Sequence, residues 1–452
     1  MTTLERYLSR VREPTFFPAR AISFAQWTWL GFVLGLALLM AGLMIGPRVA
    51  PEDQQSTCVG NVDLPGPFGF SLNCDSPEFM WLAREPDALL EKNNERQNRP
   101  GFVLAAAVLQ DIIARIVPAD APPRRIGSGF LDPDLISQSA GRDLPAYLAY
   151  IIINVGLLLA SFHFWRKLIA PRIGISAATA AIVVATGLLL VANDVTKAFV
   201  WSPHTQMFNI LVPLIALYAS LRAWYGAVLD RRFMLAMGAI VGIGATAYPV
   251  FAVIAACLVP IAFVSTERGR ALGNLAFMFM FGIAPTAIWY VYVRATVGSF
   301  HHTEVAIGEV VWMADAWSKG VGNFLAEWFG MLGMFAQMAA FQALPLVALL
   351  AWIFLIAAFD SKARAQLPLL APIATGALYV SAALLGFYTC VGWTADRLAY
   401  PVLPPLMAAA AAGAVVIAGV LDRRGRTVLA SGCAALAVAQ IIYEVAKDGP
   451  WS

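Results

Sequence analysis

Charged residues are scarce in this chain, so the few that cluster are where chemistry is sought first. Asp75 and Glu78 stand three apart in NCDSPEF. If Ser76-Pro77 begins a helix, Asp75 sits at its N-cap and Glu78 in its first turn, where carboxylates satisfy free N–H groups. The same pair can instead supply a general base. Arg397 in TADRLAYPVLPPLM, and Lys197 and His204 in KAFVWSPHTQMFN, are polar groups able to neutralise a phosphate. Arginine presents paired donors to a phosphate in a way that lysine cannot. Each also has a structural alternative: an ion pair of Arg397 with Asp396 or an interfacial anchor, a helix-capping His204, and a Lys197 that extends its charge into water. Together these residue types suit removal of a hydroxyl proton beside a departing phosphate, with no metal required. His301 and His302 are adjacent, so on a helix they point about 100° apart, and neither they nor the cysteines have zinc-ligand spacing.

The elements that must position these residues are membrane helices. Of 452 residues, 60% are hydrophobic and 13% charged, against roughly 45–50% and 25% in soluble globular domains. Mean hydropathy is +0.70, and apolar runs of about 20 residues, the length that crosses a bilayer core, recur along the chain. That excludes an ordinary soluble protein. A net charge of +3 gives no reason to expect nucleic acid as a partner. The apolar runs predict an all-α polytopic protein with eleven spans, at 26–47, 145–165, 174–192, 205–224, 232–247, 249–265, 272–293, 344–359, 367–389, 402–420 and 427–444. The first is read as a retained span behind Arg6, Arg10, Arg12 and Arg20, not as a removed signal peptide.

Segment 101–118 carries Gln110, Asp111 and Arg115, with the last two on one helical face. Laying it in the interface as an amphipathic helix leaves seventeen basic residues on one side and five in the short segments opposite, in keeping with the positive-inside rule. The N-terminus is then cytoplasmic. The chain forms one domain over 1–452, with extracytoplasmic loops at 48–144, containing juxtamembrane helices, and at 294–343, and no separate soluble domain. Cys58 and Cys74, sixteen apart in the first loop, are either a disulfide or two free thiols. The alanine-rich run 405–414 suits close helix packing. Trp312, Trp317, Phe324, Trp328 and Phe329 form an interfacial belt or an acceptor platform. The cytoplasmic loops are too short for a nucleotide-binding domain, and no Walker or GxGxxG pattern follows a strand.

A first span, an outer-loop acidic residue, a short juxtamembrane helix, the basic-Pro turn Arg99-Pro100-Gly101 and a span ending in FHFWRKLIAPRIG together resemble the GT-C superfamily of lipid-linked-sugar glycosyltransferases. The protein mannosyltransferase and aminoarabinose transferase types are the most similar. The likeness covers about residues 20–225 and 385–410. It implies a membrane enzyme that moves a sugar, with inversion, from a polyprenyl-phosphate donor to a glycan, lipid or protein acceptor at the extracytoplasmic face, with no cofactor besides that donor. Asp75 matches the catalytic base. Arg397 and Tyr400 match the Arg-aromatic-Pro pattern that binds the lipid phosphate, and Lys197, His204 and Gln206 fall where the family places polar cavity residues; the usual Lys-Pro-Pro turn is replaced here by Arg99-Pro100-Gly101, a departure that leaves Arg99 as a candidate donor contact.

There are departures. Relatives often carry two adjacent acidic residues followed by Tyr, where this chain has Asp75-Ser76-Pro77-Glu78-Phe79, so whether Glu78 shares the work stays open. No soluble domain follows the last span, which would leave acceptor recognition to the outer loops. Basic cytoplasmic loops suit a bacterial inner membrane, and the same inside-positive pattern would hold in an endoplasmic reticulum membrane. The competing class is a transporter or lipid flippase, which tends to hold ionisable residues at mid-membrane depth and to show related halves; neither is evident here. A lipid-modifying acyltransferase would place a histidine deep in a membrane funnel, whereas His163 lies near the cytoplasmic end of its span.

Overall fold

The computed structural model describes residues 19–54, 59–92, 94–116, 133–169, 176–300, 311–392 and 394–449. Cys58, His301, His302, Arg6, Arg10 and Arg12 lie outside the described residues. Among the described residues every regular element is helical except one two-stranded hairpin. Eight helices among the described residues are long and apolar enough to cross a bilayer, the mark of an all-α integral membrane protein.

Seven of the eight coincide with expected spans. Four further expected spans, 174–192, 232–247, 249–265 and 344–359, are helices of 15, 17, 12 and 16 residues. At about 1.5 Å per residue they fall short of a core of about 30 Å. The break between the second and third is local. Tyr248 is extended, and Pro249, without an N–H, opens a short 3-10 turn.

The eighth long helix, Val321–Phe341, lies inside the segment expected to be a loop over 294–343. Its glycines and Glu327 interrupt the apolar run enough to disguise it as polar. Near its start, Phe324 stacks 6.5 Å from Trp312, which donates to Cys390 O at 3.2 Å; just past its end, Gln342 donates to Asp396 O at 2.8 Å. The helix is therefore held against the 388–396 segment from one end to the other. Gly392 makes that segment turn: its φ of +74° is open to glycine, and a Cβ there would strike the Trp312 indole.

Two helices form the centre of the bundle. Windows within Thr205–Trp224 and Asp396–Ala418 are 83% and 78% buried, whereas no other long helix exceeds 39%. In the second, the alanine run packs as its small residues suggest, with Ala408, Ala410, Ala411, Ala412 and Gly413 buried. Phe32 and Phe162 stack 3.8 Å apart and join the first span, Ala19–Leu43, to the second, Leu144–Ile169.

The segment between these two spans covers one end of the bundle. It opens with the antiparallel hairpin Val59–Asp63 and Gly69–Asn73, in register Val59 to Asn73, absent from the sequence expectation. Phe70 anchors it 5.4 Å from Tyr147 and 6.1 Å from Trp201. Two short helices follow, Ser76–Arg84 and Pro100–Ala114. The second buries Phe102, Val103 and Ala106 and leaves Leu104, Val108 and Ile112 exposed as a stripe at four-residue spacing, the pattern of a helix resting against lipid.

Candidate active site

The two central helices both begin at this covered end, so the residues just before and within their first turns face the loop segment above them. Between the two lies a cavity of about 400 Å³, lined by Asp75, Arg96, Arg99, His204, Gln206 and Arg397 among others. Residues from five separate stretches of chain thus meet in one place.

Asp75 is delivered by the hairpin. Its N–H donates to Asn73 Oδ1 at 3.0 Å, Asn73 N–H donates to Ser202 Oγ at 2.9 Å, and the Ser76 and Ser202 hydroxyls are 2.8 Å apart. Cys74, next to it, is disulfide-bonded; Cys257, Cys390 and Cys433 are free. Asp75 does stand at the N-cap of the Ser76–Arg84 helix, but its side chain caps nothing. It turns instead to Arg96, whose Nη2 is 2.8 Å from Oδ1, and to His204, whose Nε2 is 3.1 Å from Oδ2. Burial pushes the Asp75 carboxyl up, but the hydrogen bond from His204 and the guanidinium of Arg96 outweigh it and hold the group well below the usual carboxylate range.

His204 likewise caps nothing, although it precedes the turn into its helix. Burial lowers its proton affinity to about 4 against the pull of Asp75. The neutral ring therefore donates from Nε2, and Nδ1 is left with no hydrogen-bond partner among the described residues. The loop that carries it is held from below by Asn154, whose Nδ2 donates to the carbonyls of Phe199, Val200 and Ser202 at 3.0, 3.3 and 2.9 Å.

Two guanidiniums complete the cavity. Arg99 N-caps the Pro100–Ala114 helix with its backbone, and its Nη1 donates to Thr205 Oγ1 at 3.2 Å. Gly101 lets this turn sit against the end of the Arg231–Ala247 helix, because a Cβ there would press on Thr246, backbone included. Arg397 lies 5.7 Å above the Phe199 ring, and its backbone carbonyl accepts from Asn209, which also donates to Gln206 and accepts from the Tyr388 hydroxyl at 3.0 Å. Neither arginine has a carboxylate partner among the described residues, and the Nε of each is buried and unpaired. Burial, then the nearby charge of Arg96, lowers the affinity of Arg99 for its proton. The alternative ion pair of Arg397 with Asp396 is absent among the described residues.

No protein-family model, curated protein or solved structure matches the chain.

Of the residues expected at the site, Asp75, Arg99, His204, Gln206 and Arg397 line the cavity. Glu78 stands one step behind, bonded to Arg96 Nε at 2.7 Å. Tyr400 does not reach it. Its hydroxyl is buried, donating to Leu190 O at 2.6 Å and accepting from Asn193 at 3.1 Å, which fastens the turn carrying Arg397 to the Ala177–Val191 helix. Lys197 points toward the C-terminal end, donating to the carbonyl of Lys447, itself paired with Asp194 and Glu444. Burial lowers the proton affinity of Lys197, yet no residue of the 400 Å³ cavity touches it through these bonds.

Sequence reasoning missed Arg96, Asn154, Asn209 and Tyr388. The only hint of Arg96 was its place three residues before Arg99 in a polar turn. Asn154 stood as a lone amide in an apolar span, where an unpaired polar group is costly and so implies a partner.

Proposed function

We propose that the chain is a membrane glycosyltransferase that moves a sugar from a polyprenyl-phosphate donor to an acceptor hydroxyl at the extracytoplasmic face. One observation carries it: a partly exposed carboxylate, Asp75, shares a cavity with two arginines, Arg99 and Arg397, that have no carboxylate partner among the described residues. Two uncompensated guanidiniums are stable in such a place when an anionic group occupies it.

Asp75 takes the proton of the acceptor hydroxyl as that oxygen attacks the anomeric carbon. The bond from that carbon to the phosphate oxygen breaks on the opposite face, its electron pair stays on the phosphate, and the sugar is inverted. The phosphodiester gains negative charge as it leaves, and Arg99 and Arg397 are fixed beforehand where that charge grows. His204 keeps Asp75 turned toward the cavity, and the protonated carboxyl returns its proton to water. The apolar lining from Val250, Phe387, Val391 and Leu398 suits the first isoprene units of the donor.

The test is to hold the purified protein in lipid nanodiscs, supply a panel of polyprenyl-phosphate sugars, and follow release of polyprenyl phosphate. Release with one donor supports the transfer. No release from any, in folded protein, moves the weight to transport of a lipid-linked anion.

A further inference from the structure

Arg96 is bound on two sides. Nη2 meets Asp75 at 2.8 Å and Nε meets Glu78 at 2.7 Å, while the guanidinium lies 5.0 Å from the Phe79 ring centroid. The other Asp75 oxygen is taken by His204. Asp75 is thus well anchored, but a carboxylate in contact with a guanidinium is a poor acceptor for an alcohol proton. Withdrawing a guanidinium from a carboxylate with no other partner at hand would strand a mostly buried cation, which is expensive. Here the second carboxylate is already in place.

We propose that Arg96 is a movable positioning residue shared by Asp75 and Glu78, and that the reactive arrangement has Arg96 on Glu78 alone while His204 keeps Asp75 aimed at the cavity. Glu78 is then not a second base; it acts through Arg96. This rests on the transfer chemistry proposed above.

Local structure makes the motion one of a side chain only. The Glu95–Asn98 turn is fixed by Asn94, which accepts from Arg96 N–H at 2.8 Å, and by Gln97, which donates to Glu91 O at 2.8 Å and accepts from the Trp289 indole at 2.6 Å. The charged groups around Asp75 are Arg96, Glu78, His204 and, lining the same cavity, Glu95, Arg99 and Arg397. The last two are committed to the donor phosphate, which leaves Arg96 as the cation whose position is free to change.

The experiment is a double-mutant cycle on the full chain in nanodiscs, with a donor from which the wild type releases polyprenyl phosphate. Without its second anchor, Arg96 stays on Asp75, so Glu78→Gln lowers kcat at least about tenfold with donor KM within about twofold, a coupling usual for groups in one ion-pair network. Arg96→Gln costs less than about fivefold, and the Glu78→Gln/Arg96→Gln double variant returns to the level of Arg96→Gln. Glu78→Asp, which keeps the charge, recovers at least about a third of wild-type kcat and guards against a folding artefact. Additive losses in the double variant, or an Arg96→Gln enzyme as inactive as Asp75→Asn, would overturn the shared-arginine arrangement while leaving the transfer chemistry standing. A wild type that releases nothing from any donor would overturn the transfer and the shared arginine together.

Discussion

His204 Nε2 sits 3.1 Å from Asp75 Oδ2, and the two side chains differ sharply in exposure, 3% against 31%. The buried partner is neutral and directional, and the exposed one is charged and faces the cavity. In the proposed transfer that asymmetry separates holding from reacting, and it has consequences that can be measured.

The first concerns pH. His204 is lowered from an ordinary value of 6.5 to about 4 in the folded protein, chiefly by burial. Its folded value lies below its unfolded one, so the stability it contributes is complete above about 6.5 and is lost as pH falls toward about 4. Asp75 is also depressed, from 3.8, so its contribution is lost only below that value. Melting temperature should decline between about pH 6.5 and pH 4 in the wild type, and His204→Gln should flatten that limb. An identical limb in the variant would remove His204 from the explanation.

The two arginines that lack a carboxylate partner among the described residues should show themselves in donor use. Arg397→Ala and Arg99→Ala each lose a charged hydrogen-bond donor to phosphate, worth about 1.5–3 kcal/mol, or roughly 10- to 100-fold in kcat/KM. Arg397→Lys restores little, because a point charge does not reproduce a planar fork. Steady-state kinetics over a donor concentration series would reveal this, and unchanged kcat/KM for both alanine variants would empty the cavity of its assigned anion.

Asn154 acts at a distance. Asn154→Leu leaves three buried carbonyls of the 199–202 loop without their donor and should cost about 2 kcal/mol or more in stability. Because that loop carries Ser202 and His204, transfer should fall as well. A variant that melts like the wild type would show that the loop holds itself.

Tyr400 and Lys197 provide the counter-example. Tyr400→Phe should cost about 1 kcal/mol through the lost bond to Leu190 O, and Lys197→Ala should trim stability at the C-terminal end, both with donor KM within about twofold of wild type. A large rise in donor KM for either would place it at the phosphate after all.

The sequence carried the material of the site better than its geometry. Long apolar runs gave most of the spans, residue type and surroundings singled out Asp75, His204 and Arg397, and the family resemblance added Arg99 and Gln206; all five converge although they range over more than three hundred positions. What stayed hidden depends on long-range pairing. Glu78 and Arg96, eighteen apart, read as two unrelated surface charges until the Glu95–Asn98 turn folds back over the Ser76–Arg84 helix. Tyr400 lies three residues beyond Arg397, but the 3-10 turn Tyr400–Val402 directs its ring into the core. The hairpin escaped notice because ten residues split by a Pro-Gly turn resemble any polar loop.

The most direct test compares donor binding and turnover in Asp75→Asn with the wild type, using full-length protein in nanodiscs and a fluorescent or radiolabelled polyprenyl-phosphate sugar. The amide keeps the size of the carboxylate and leaves Arg99 and Arg397 in place, so donor should bind within about threefold of wild type while release of polyprenyl phosphate falls about 10²- to 10⁴-fold, the contribution of a positioned general base. Turnover close to wild type in Asp75→Asn would contradict Asp75 as the base and, with it, the reading of this cavity as a transferase site.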